Sequence, residues 1–247
     1  MTQLFRIRGF WPYTVIVFLN AFVDLGHKIT VQNTVFKAFD GQTQIVLTAI
    51  VNAFILLPFI LLFSPAGFLS DRYSKPKVMR ASAIAALVIV ILITVCYYTG
   101  QFWIAFALTL ALAVQSAIYS PAKYGYIREL VGDQNIAQAN ALVQAVTIVA
   151  ILAGTFIFSA IFEWLFSSTN TGVSSIVTSI APLGWLLIAI TLIEVWATYR
   201  LTDRALQDDT QRFSYSDYVS GAYLRRNVRA ITSKRAIWLP IVGLSMF

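Results

Sequence analysis

The sequence predicts an all-α membrane protein with six transmembrane helices and the first turns of a seventh. Three observations lead there: long apolar tracts, charge confined to the short stretches between them, and tryptophans gathered at tract ends. Hydrophobic residues make up 58% and charged residues 12% of the chain, against the roughly 25% charged that is usual in soluble domains. The tracts approach or exceed the roughly 20 residues that a helix needs to cross the hydrocarbon core. Lipid cannot satisfy free backbone N–H and C=O groups, so such tracts are helices or barrel strands. Barrel strands would be short and would alternate polar with apolar residues, which these runs do not.

In order along the chain, the spans fall at residues 11–34, 45–70, 77–98, 102–122, 140–166 and 180–199. A seventh begins near Ala236 and reaches Phe247, too short to cross at about 1.5 Å per residue. The expected division is therefore a bundle at 1–199, a cytoplasmic linker at 200–236 and the truncated start of a helix at 237–247. Arg6 and Arg8 before the first tract resemble a secretory leader, but Asp24, His27 and Lys28 interrupt the apolar run. No small-residue cleavage site follows, so the tract is expected as a retained helix. In the linker, Val219, Tyr223, Leu224, Val228 and Ile231 recur at helical spacing opposite Arg225, Arg226 and Arg229. That pattern suits either a helix lying on the membrane surface or a solvated charged segment. The uncharged Ser, Thr and Gly-rich stretch 167–179 is expected as an external loop.

Sixteen of the 18 basic residues fall on one side of this arrangement, from Arg6 to Arg80, Lys123, Arg128 and the linker. The other side has Lys37 alone, and Lys28 lies within the first span. Cytoplasmic loops accumulate Lys and Arg, so the N-terminus and the end of the sixth helix are expected in the cytoplasm. Trp11, Trp103, Trp164, Trp185, Trp196 and Trp238 sit near span ends, where an amphipathic ring suits the headgroup boundary. The net charge of +7 thus belongs to membrane orientation, and no nucleic-acid partner is expected. Cys96 has no partner in the chain and carries no information on redox compartment.

Asn20, Asp24, His27, Lys28 and Gln32 lie along one stripe of the first helix. A charge at the bilayer centre costs at least about 2.5 kcal/mol, so the stripe should face a wet cavity or polar partners within a bundle. It is therefore a candidate site, against the alternative of a neutralised Asp24 and Lys28 pair with His27 packed beside it. His27 is the sole histidine and no second ligand set accompanies it, so no metal is expected. In the fourth span Gln115, Ser116, Tyr119 and Lys123 share a face. Pro121 is expected to bend or end that helix, with Gly125 permitting a tight exit. Ala150 and Gly154 in the fifth span form a small-xxx-small pair suited to close helix contact. No nucleophile with a convincing base appears, so this chain is not expected to be an enzyme.

The loop joining the second and third spans reads Gly67-Phe-Leu-Ser-Asp71-Arg72-Tyr-Ser-Lys75-Pro-Lys77-Val-Met-Arg80. It resembles the loop signature of the major facilitator superfamily, a glycine, an aspartate four residues on, then a basic cluster. Ser74 stands where that pattern has glycine. The resemblance implies a six-helix half built from two inverted three-helix repeats, in which the first and fourth spans correspond. Gly67 would allow close helix approach, and Asp71 would accept from helix N-terminal N–H groups or pair with Arg128. Gly67, Asp71, Arg72, Lys75 and Arg128 are thus a candidate conformational latch.

Two further runs, Ser120-Pro-Ala-Lys123-Tyr-Gly125 and Phe18-Leu-Asn20-Ala-Phe-Val-Asp24, look like the lysophospholipid transporter branch of that superfamily. The resemblance runs from the first span through the fifth. It implies a flippase for lysophospholipids, chiefly lysophosphatidylethanolamine, in the bacterial inner membrane, completed by a C-terminal six-helix half. Asp24 and Lys123 match family positions implicated in transport. Leu25 departs from the family's Asn, and His27 and Lys28 stand where apolar residues are usual. The chain is also similar to transporter segments fused to an acyltransferase or acyl-carrier-protein synthetase, so such an enzyme is an expected partner. Asn20, Asp24, His27, Lys28, Gln115, Tyr119 and Lys123 form the candidate substrate and ion site, with sodium or a proton as coupling cation and no other cofactor. Competing readings on the same fold are an exporter of amphipathic drugs or metabolites, and a non-transporting anchor for an acyl-transfer enzyme.

Overall fold

The computed structural model describes residues 4–167, 172–203, 215–233 and 238. Those residues fold into two units, within Met1–Asp208 and Asp209–Phe247. The first contains α1 (Phe10–Ala38), α2 (Gly41–Leu61), α3 (Phe63–Arg72), α4 (Lys75–Tyr98), α5 (Phe102–Val131), α6 (Ile136–Leu165), α7 (Val173–Ser179) and α8 (Leu183–Thr198). Among the described residues α1, α2, α4, α5 and α6 are long and apolar enough to cross a membrane. The α7 and α8 pair, bent by 53°, passes the same test as one broken span. The chain is thus a multi-pass, all-α membrane protein.

Three helix boundaries differ from expectation, each for a local reason. The second span is interrupted at Leu62, because Pro58 and Pro65 each remove an N–H from the ladder. The backbone closes around the break, with Leu62 N–H donating to Pro58 O at 2.8 Å and Ala66 N–H to Leu62 O at 2.8 Å. Pro121 neither ends nor visibly breaks α5, which runs on to Val131 and stops at Gly132, where φ is 73°. Packing of the whole helix outweighs one missing donor. Finally, residues 173–179 of the expected loop are helical. Ile176 and Val177 are buried there, and Ser174 Oγ donates to Gly100 O at 3.0 Å, tying α7 to the turn before α5.

Within the first unit α1 packs chiefly on α6 and α8, α4 on α5 and α8, and α5 also on α2 and α3. The predicted Ala150 and Gly154 pair does bring α6 against α1. A Cβ on Gly154 would lie 2.9 Å from Phe22 O, and one on Gly26 would lie 2.5 Å from the Phe158 ring. Only glycine permits both approaches. By contrast Gly67 has nothing within 4 Å of where a Cβ would sit, so it mediates no close contact. Trp11, Trp103, Trp164, Trp185 and Trp196 are all exposed at helix ends, as interface anchoring requires.

The interior contains two apolar clusters. One gathers Val23, Val31, Val90, Ile93, Leu112, Phe158 and Leu187. The other, toward the basic end, gathers Tyr13, Val17, Met79, Tyr119, Ile127, Val143 and Ala197. Between them buried polar side chains form a layer: Asn20 on α1, Ser82 on α4, Gln115 and Ser116 on α5, Thr191 and Glu194 on α8.

In the second unit α9 (Tyr215–Val219) and α10 (Ala222–Thr232) are separated by Gly221 at φ 71°. Residues 222–232 of the linker are thus helical, and this holds for either of its two readings. The expected seventh helix lies outside the described residues apart from Trp238.

Candidate functional site

The polar layer opens into a pocket of about 160 Å³ between α1, α2 and α5. Asn20, Asp24, His27, Tyr119 and Lys123 of the predicted set line it, together with Ser116. Ser116 Oγ hydrogen-bonds to the Asp24 carboxylate. Lys123 is almost fully buried and makes no ion pair among the described residues. Its ammonium lies 4.6 Å from the Tyr124 ring centre and interacts with Asp24 across the pocket. Tyr13 OH donates to Lys123 O at 2.9 Å, which fixes the backbone beneath that side chain. The Tyr119 hydroxyl is buried with no hydrogen-bond partner among the described residues.

His27 lines the pocket wall, yet both its nitrogens are engaged: Nδ1 with Tyr97 OH at 2.8 Å and Nε2 with Thr109 Oγ1 at 3.1 Å. Its side chain is fully buried between α1, α4 and α5, the geometry of a packing residue. Lys28 is half-buried, outside the pocket, and pairs with neither Asp24 nor any other described residue. Gln115 faces a second cavity of about 840 Å³, lined mainly by apolar residues of α3, α4 and α5 such as Leu69, Val78, Ile89, Leu110 and Ile118, with Lys77 and Ser82 also in its wall. Its Nε2 is buried there without a partner among the described residues. Adjacent residues of one helix, Gln115 and Ser116, thus line an apolar cleft and a charged pocket.

The basic loop does not form the expected Asp71 and Arg128 pair. Arg128 is exposed in the last turn of α5 and bonds Asp133 just beyond the end of that helix, Nε to Oδ1 at 2.7 Å. Asp71 is exposed and unpaired among the described residues. The helices are joined instead by Lys75 and Glu129 at 2.5 Å, whose side chains retain 19% and 24% exposure. The Lys75 stem packs over Gly125, where a Cβ would lie 2.6 Å from Cε, so that glycine serves a crossing and not an exit. Ser74 Oγ donates to Asp203 Oδ2 at 2.9 Å, and Arg80 rests on the Tyr199 ring at 4.2 Å. Arg72 lies between the Phe68 and Tyr73 rings at 5.9 and 5.7 Å.

Sequence reasoning from the first and fourth spans misses Glu194, which is fully buried on α8 beside Asn20, Asp24 and Tyr119. Its signal was present, because it is the lone charged residue between Glu163 and Arg200, and an ionisable group inside a span calls for a role.

Known proteins bear on this geometry. A lysophospholipid transporter LplT of Photorhabdus laumondii is 31% identical over 167 residues, 66% of this chain and 39% of that protein. Transporters of the same name from Cronobacter sakazakii and Yersinia pestis are each 29% identical, over 64% and 60% of this chain. The chain aligns with 34% to 39% of the length of these relatives. No solved structure matches it. The profile of the Major Facilitator Superfamily matches residues 13–247. With its helices, polar layer and basic loop in that frame, the chain belongs to the Major Facilitator Superfamily.

Proposed function

We propose that this chain is one half of an alternating-access carrier moving a single-chain phospholipid across the bacterial inner membrane, with its N-terminus in the cytoplasm. The observation that carries the reading is the adjacency at Gln115 and Ser116. Consecutive residues of α5 line a pocket holding a carboxylate and an ammonium and an apolar cleft large enough to take a hydrocarbon chain. A zwitterionic headgroup matches that charge pair, its phosphate meeting Lys123 and its ammonium meeting Asp24. The acyl chain remains on apolar surface throughout, so its desolvation costs little. Relatives named as lysophospholipid transporters support the same substrate class. Asp71, exposed and unpaired among the described residues, would contact a second half, and a coupling cation would share the Asp24 pocket.

The test is lysolipid uptake by vesicles carrying the full-length protein. Asp24→Asn and Lys123→Ala each remove one charge-assisted contact and should lower uptake about ten- to a hundredfold. Uptake unchanged in both variants would remove the site, and resistance to amphipathic compounds without lysolipid movement would assign the fold to export.

A further inference from the structure

Glu194 is the least compensated group in the bundle. None of its surface is exposed, and neither carboxylate oxygen makes a hydrogen bond of normal geometry among the described residues. From α1 the Asn20 amide approaches without reaching such geometry, and the Asp24 carboxylate is near enough to act on it electrostatically. From α5 come the unpartnered Tyr119 hydroxyl and, beyond it, Lys123, whose ammonium is drawn to Asp24. On α4 the nearest cation along the helix is Arg80, engaged with Thr198 O at 3.4 Å and with the Tyr199 ring. The one charged residue of α6, Glu163, is tied to Lys37, and α2 carries no charged residue.

A carboxylate removed from water with no cation beside it is costly, whereas a carboxylic acid is neutral and gains a donor. The oxygens of Tyr119 and Asp24 act on Glu194 electrostatically but stand beyond hydrogen-bond reach of it. We propose that Glu194 is a proton-binding site and that it shares one exchangeable proton with Asp24. A proton from water in the pocket forms an O–H bond at Asp24. It then passes to Glu194 through water that bridges the gap by way of the Tyr119 hydroxyl, each O–H bond breaking as the next forms, and release reverses the path. Lys123 favours the negative charge at Asp24, which leaves the proton on Glu194 and the aspartate ready for a headgroup ammonium. Proton binding stands independently of the substrate, while its coupling to transport rests on the carrier reading.

The experiment uses full-length protein in vesicles of phosphatidylethanolamine and phosphatidylglycerol. Infrared difference spectra between acid and alkaline buffer should contain a buried carboxylic-acid band. That band is lost in Glu194→Gln, shifted in Glu194→Asp and kept in Glu163→Gln. With one proton per lysolipid, an inside-alkaline gradient should raise accumulation about tenfold per pH unit in the unaltered protein and not in Glu194→Gln. A band unchanged in Glu194→Gln overturns the proposal. Loss of the band with no lysolipid movement in any protein keeps the proton site and removes the substrate. Lysolipid movement indifferent to the gradient, with the band unmoved, removes the proton site and keeps the substrate. If Glu194→Gln does not fold, the shift in Glu194→Asp decides.

Discussion

His27 joins three helices through its two ring nitrogens, and its removal should be felt in stability before activity. His27→Ala leaves the Tyr97 and Thr109 hydroxyls without their partner, a loss of about 1–3 kcal/mol. Thermal unfolding in detergent measures it. Lys28→Met should change stability by less than about 0.5 kcal/mol, since that side chain is half-buried and unpaired among the described residues. A His27→Ala protein that unfolds like the parent but fails to transport would return the histidine to the pathway. The stripe of residues 20, 24, 27 and 28 was readable from spacing, but their separate fates were not. Neighbours on a helix point about 100° apart, so residue 27 enters the α4 and α5 contact while residue 28 turns away. Which side of the stripe meets a partner depends on helix rotation, and spacing within one helix does not contain it.

Lys75 and Glu129 act between elements, and a double-mutant cycle separates them from the expected latch. Lys75→Ala and Glu129→Ala should couple by about 0.5–1 kcal/mol in unfolding, the range for partly exposed pairs. Asp71→Asn and Arg128→Gln should be additive, because they share no contact; coupling between them would reinstate the latch in this conformation. Gly154→Leu forces a side chain into the Phe22 backbone and should destabilise by about 1–3 kcal/mol, read again by thermal unfolding. The α1 and α6 crossing was legible because small residues four apart leave a visible gap. The fates of the prolines were not. Pro58 and Pro65 coincide with a break, while Pro121 lies in a continuous helix held between α1, α2 and α4. Proline removes one donor in each case, and tertiary packing decides whether the helix tolerates it. Residues 173–179 likewise look like a polar loop until the burial of Ile176 and Val177 is known.

At the scale of the whole molecule, charge and tryptophan placement carried most of the architecture, since both are set by the bilayer and not by side-chain packing. The topology can be measured directly, because Cys96 is the sole cysteine. In a Cys96→Ser background, cysteines at Lys77 and Ser174 should react with a membrane-impermeant maleimide from opposite faces, Lys77 from the cytoplasm. Reaction of both from one face would refute the six-crossing arrangement. The bent α7 and α8 pair has a consequence that depends on the surrounding lipid. The 16 residues of α8 rise about 24 Å at 1.5 Å each, against a hydrocarbon thickness of about 30 Å, so the crossing is completed only by the bent α7 segment. Ser174 Oγ, donating to Gly100 O, holds that segment in place. Ser174→Ala should therefore make thermal stability fall more steeply as lipid tails lengthen, because the span then depends on its shorter, straight part.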